Sequence, residues 1–127
     1  MTSVENTGNP ETMCNFRYLH EIVNGNLNLI GGIMDAFLKQ VPEDLTTINE
    51  AIILEDYSTI RSYAHTMKSS ASIMGISALA PILDELVMLS EKAVDIDKIT
   101  SLNFQLNSIL KQAIEEVKTE KLNNIQT

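Results

Sequence analysis

His65 is the side chain in this sequence best placed to do chemistry, because of the residues that surround it. The segment from Tyr57 to Met74 has helical spacing, at about 100° per residue. Projected this way, Ser58, Arg61, Ser62, Lys68, Ser69 and Ser72 all fall within about 60° of His65. The opposite side carries Ile60, Tyr63, Ala64, Met67, Ala71 and Met74, an ordinary core stripe. A solvated helix face in an acidic protein normally mixes Asp and Glu with Lys. This chain has 17 Asp and Glu residues, yet none lies between Tyr57 and Ala80. The His65 face has small hydroxyls and two cations instead. Serine is a middling helix former, so four serines around one histidine are not there for propensity.

Such a face suits the carriage of an anion. Small side chains leave the imidazole uncovered and let another protein approach closely. The cations balance an incoming negative charge, and the lack of carboxylates along the helix removes a source of repulsion. A neutral imidazole nitrogen is a good nucleophile, and imidazoles are substantially neutral near pH 7. Attack on phosphorus gives a phosphoramidate, whose P–N bond transfers readily to a carboxylate. Lys68, at i+3, can reach a phosphoryl oxygen, and the Ser69 hydroxyl, at i+4, can donate a further hydrogen bond. Arg61, Ser62 and Ser72 are placed to contact a partner. The competing reading is a helical adaptor that docks a partner through the same face without chemistry.

Other chemistry finds no support. No paired carboxylates, Ser/His/Asp or Cys/His set, or Gly-rich phosphate loop is evident, so an enzyme is not expected. His20 and Glu21 point about 100° apart on a helix and lack a third ligand, so no metal site is predicted. Cys14 is the single cysteine, which excludes an internal disulfide and a thiolate zinc site.

The rest of the chain must hold that helix. At 127 residues there is room for one domain. Hydrophobic residues make up 44%, with six Met, no Trp and 5% aromatics, which favours an aliphatic and thioether core between helices. The net charge of −8 argues against nucleic acid and against an anionic membrane surface. No apolar run approaches the roughly 18 residues needed to span a bilayer. The polar start (Thr2, Ser3, Glu5, Asn6, Asn9) lacks an apolar signal segment. A cytoplasmic domain is expected.

Residues 1–12 read as a flexible lead-in, residues 13–118 as the helical domain, and residues 119–127 as a polar, fraying tail. Phe16, Leu19, Ile22 and Val23 form a short first helix that Asn24-Gly25-Asn26 breaks. Leu27, Ile30, Met34, Phe37, Leu38 and Val41 form the next stripe, ending near Gln40. Pro42 then predicts a fresh start, with Leu45, Ile48, Ala51 and Ile52 on its apolar side. Asp56 is the predicted N-cap of the His65 helix, and Gly75 its end. Ser77 is read as the opening of the following helix, with Pro81 in its first turn, and Asp95 as the cap of the last. Gly31 and Gly32, mid-helix, cost about 1 kcal/mol each relative to Ala and are read as sites of close helix packing, with a flattened docking surface as the alternative. No run of strand period appears. The fold class is therefore all-α: an antiparallel four-helix bundle with a short extra N-terminal helix. Such a core is complete in one chain, so a monomer is expected.

The string Ala64-His65-Thr66-Met67-Lys68-Ser69-Ser70-Ala71-Ser72-Ile73-Met74-Gly75 resembles the signature of histidine-containing phosphotransfer (HPt) domains. That signature is roughly Ala-His-x-Leu-Lys-Gly/Ser-Ser, an apolar stretch, then Gly. Phe37-Leu38 followed by Pro42 resembles the family's Phe-Leu…Pro segment. Asp56, Leu79 and Leu86 also fit its pattern, so the resemblance spans about residues 16 to 117. It implies phosphorylation of His65 in a two-component phosphorelay, fed by a sensor or hybrid histidine kinase. It also implies response-regulator receiver domains as partners, which bring the acceptor Asp and the Mg²⁺, so this chain needs no cofactor of its own. Two departures stand out. Ser69 occupies a position where many members have Gly. The next helix presents Asp84, Glu85 and Glu91 where members often carry Gln or a basic residue near the phosphate.

Overall fold

A computed structural model describes residues 12–126 as five helices, with no strand among them. They are α1 (Phe16–Ile22), α2 (Leu27–Ile53), α3 (Tyr57–Ile73), α4 (Leu79–Lys92) and α5 (Ile96–Gln126). The four long helices close a ring in which α2 packs on α3, α3 on α4, α4 on α5 and α5 back on α2. Asp35 near the start of α2 pairs with Lys121 near the end of α5. Asn49, late in α2, meets Asn103 and Asn107, early in α5. Those two helices are therefore antiparallel, and the bundle is the one the apolar spacing predicts.

The helix starts follow local chemistry. Asn15, Asn26 and Asp56 each accept a hydrogen bond from the amide three residues on, satisfying a donor that the first turn leaves orphaned. Asp56 also accepts from the Thr59 hydroxyl at 2.7 Å. Asp95 accepts from the Lys98 amide at 3.2 Å, as expected of a cap. The core threads the ring: Ile30, Met34 and Ile48 from α2, Ile60, Ala64 and Met67 from α3, Leu79, Leu83 and Leu86 from α4, and Ile99, Leu106 and Val117 from α5. Leu27 and Leu54, at the two ends of α2, stay exposed.

Four expectations change. α2 runs unbroken through Pro42 instead of stopping near Gln40. Proline removes one backbone bond and crowds the carbonyl four residues back. Here Phe37, Val41, Leu45 and Ile48 share one buried face, and that continuous stripe outweighs the local defect. Ser77 does not cap α4, which begins at Leu79 after the uncapped Ala78 and has Pro81 in its first turn. α5 continues to Gln126, through the segment expected to fray, and Lys121 ties it to α2. Gly31 and Gly32 are not close-packing sites: an added Cβ at either meets nothing within 4 Å.

The flexible segment expected over residues 1–12 lies, for residues 1–11, outside the described residues. From Met13 onward the chain is strapped down. The Met13 and Cys14 amides donate to the Glu116 carboxylate at 2.9 and 2.8 Å, and the Asn15 amide donates to the Met74 carbonyl at 2.9 Å. Burial, reinforced by the Glu116 charge and hydrogen bond, pushes the Cys14 thiol well up, so it sits as an inert core group. No helix is long and apolar enough to cross a membrane among the described residues.

Candidate functional site

α3 divides along its length into two faces. Ile60, Ala64, Met67 and Ala71 are buried against the bundle and fix the rotation of the helix. The same rotation turns Arg61, Ser62, His65, Lys68, Ser69 and Ser72 outward, and all six are exposed. Sequence periodicity thus brings together every residue it nominated. Among the described residues, the His65 ring makes no hydrogen bond or ion pair, nor do the side chains of Arg61, Ser62, Ser69 and Ser72. Thr66 turns its hydroxyl back to the Ser62 carbonyl at 3.0 Å, a local bond that leaves the ring clear.

Lys68 is the exception. Its ammonium lies 2.7 Å from a carboxylate oxygen of Asp84 on α4. The face free of acids along its own helix therefore has one acid beside it from a neighbour, and reasoning on a single helix missed it. The only sequence signal was a carboxylate on the following helix where a neutral or basic residue was anticipated.

Beside the face runs a groove of about 540 Å³ between α1, the end of α3 and the start of α4. Ala71, Ile76 and Leu83 supply apolar lining, while Tyr18, Lys68, Ser72, Ser77 and Asp84 contribute polar groups. Asn15 and Tyr18 were not nominated from the sequence, because α1 offered nothing beyond an apolar stripe. Gly75 closes α3 at this groove with φ +67°, and an added Cβ would stand 2.6 Å from the Asn15 Cβ. Glycine is required there twice over, by backbone conformation and by the approach of the strap. His20 and Glu21 belong to no group of three or more metal-ligating residues among the described ones.

A family model described as Hpt domain matches residues 32–120, more than half of the chain. The chain belongs to the Hpt domain family. It is a histidine phosphotransfer domain of a phosphorelay, and an Hpt domain works with the kinases and receiver domains of two-component systems. Membership also makes it a phosphocarrier, and the docking-only reading of α3 is not favoured. The fold is similar to the crystal structure of histidine-containing phosphotransfer protein B (HptB) from Pseudomonas aeruginosa PAO1. The TM-score is 0.80 at 20% identity, covering 89% of this chain and 97% of that one. No curated protein sequence matches. The Hpt match begins within α2, so α1 and the strap before it lie outside it.

Proposed function

We propose that His65 is the phosphoacceptor, taking a phosphoryl group from one receiver or kinase partner and yielding it to the Asp of another receiver domain. The observation that carries this reading is the exposed, unpartnered His65 ring beside Lys68, within the segment that matches the Hpt family. Lys68 and Ser69 steady the phosphoryl oxygens by charge and hydrogen bonding. Arg61, Ser62 and Ser72 form part of the surface on which the receiver lands. The chain acts as a monomeric cytoplasmic carrier. The receiver brings the Mg²⁺ and its own geometry, and this chain contributes a nucleophile held in water on a rigid support.

The transfer is a balanced exchange. The ring nitrogen forms a bond to phosphorus as the aspartyl P–O bond breaks, returning a carboxylate to the donor. Incubation with a panel of phosphorylated receiver domains tests it. Wild type is expected to acquire an acid-labile, base-stable phosphate, and His65→Gln to acquire none while unfolding at the same temperature. Label retained on a folded His65→Gln protein would place the acceptor elsewhere.

A further inference from the structure

α3 has no acid of its own, yet Asp84 brings a carboxylate from α4 to within 2.7 Å of the Lys68 ammonium. Both side chains remain open to water, at 43% and 61% exposure. Charge holds this contact, not packing, so either partner can leave it easily. The pair stands at the rim of the groove beside the His65 face. Lys68 is also one turn from His65, where its flexible stem can swing the ammonium to an anion on the ring. One ammonium thus has two anions within reach and can close on only one.

We propose that Asp84 is a positioning residue that competes with the phosphoryl group for Lys68 and biases the transfer equilibrium toward departure of that group. The proposal rests on His65 as the acceptor. In the unphosphorylated protein Lys68 is docked on Asp84. Arrival of the phosphoryl group draws the ammonium across α3 and leaves the Asp84 carboxylate unpaired, close to a second anion. The lost pair and the new repulsion both weigh against the phosphorylated state, compared with a chain that has a neutral residue at this position. A carrier built in this way releases its cargo readily. It is a relay and not a store.

The test uses ammonium phosphoramidate as donor on the full chain. Its P–N bond breaks as the imidazole–phosphorus bond forms, and the ring proton leaves with ammonia as ammonium. The plateau ratio of phosphorylated to free protein, read by ³¹P NMR, is compared for wild type, Asp84→Asn, Asp84→Ser, Asp84→Glu and His65→Gln. Asp84→Asn and Asp84→Ser are expected to raise the ratio about three- to tenfold at low salt. At high salt the gain shrinks, because screening weakens both the pair and the repulsion. Asp84→Glu, which keeps the carboxylate, restores the wild-type ratio. A ratio in both neutral variants equal to or below wild type overturns the proposal, as does a rise that ignores salt. Labelling that survives His65→Gln overturns the acceptor reading itself. Labelling lost in His65→Gln while Asp84→Asn stays silent overturns the role of Asp84 alone.

Discussion

Two rows of polar side chains run along this bundle, and the fold treats them in opposite ways. At the seam of α2 and α5, the Asn49 amide oxygen accepts from Asn103 at 2.7 Å and from Asn107 at 3.2 Å. Asn107 also donates to the Asn103 carbonyl at 2.7 Å. On the outer face of α3, the side chains of Arg61, Ser62, His65, Ser69 and Ser72 bond to nothing among the described residues. The seam amides are half-buried, where an unmade hydrogen bond is expensive, so each finds a partner. The α3 groups stand in water, where leaving them bare costs little. Polar groups at the half-buried seam are paired, whereas those on the outer face of α3 are left with their hydrogen-bonding capacity unused among the described residues. The glycines divide in the same way. Gly75 is hemmed in by Asn15, while Gly31 and Gly32 face open space.

If neighbours fix a residue wherever the fold depends on it, Gly75→Ala should do the most damage. The left-handed backbone alone disfavours a Cβ by about 1–2 kcal/mol. The contact with Asn15 adds overpacking of similar size, so a total loss of about 2–4 kcal/mol is expected. Urea unfolding measures it. The strap before α1 should loosen as well, seen as faster amide exchange at Asn15, whose N–H is bonded to Met74. Wild-type stability in this variant would mean that the strap yields freely, and the contrast with the open glycines would vanish.

Asn49→Ala probes the seam. It removes the shared acceptor of two half-buried amides, and a loss of about 1–3 kcal/mol is expected. Because Asn49 turns toward α5, the helix opposite α3 in the ring, phosphoryl transfer should be unchanged at temperatures where the variant is folded. An unfolding midpoint equal to wild type would show that water replaces Asn49 at no cost.

These contrasts also mark what the sequence could reveal. The all-α bundle was legible because apolar residues three and four apart recur from Phe16 to Val117, and burying that one face is the main force drawing helices together. The outward row on α3 was legible for the same reason, since one periodicity sets both faces. Asp56, Gly75 and Asp95 were readable because a cap is a local event. What escaped notice depends on pairs of helices. Asn49, Asn103 and Asn107 read as ordinary solvated residues until α2 and α5 are laid side by side. Asp84 stands out only together with Glu85 and Glu91, and nothing tells the three acids apart until α4 is placed beside Lys68. Pro42 misled because its local defect is judged against the buried stripe on both sides, which a boundary signal ignores. Gly31 and Gly32 misled in the reverse sense, since nothing in a single sequence tells a crowded glycine from an open one.

That last ambiguity gives the smallest and most discriminating change. Gly32 is exposed, lies inside α2 and has no neighbour within 4 Å of an added Cβ. Alanine there restricts the unfolded chain and clashes with nothing in the folded one. Gly32→Ala should therefore raise stability by about 0.5–1 kcal/mol, read as a higher urea midpoint with an unchanged slope. The functional readout separates two explanations for a glycine that the fold does not require. If transfer to and from receiver domains is unaffected, Gly32 is a neutral imperfection of the kind natural helices tolerate. If stability rises while transfer falls, the missing side chain serves a partner that lies flat on α2. The bare region of the molecule would then extend from α3 across to its neighbour.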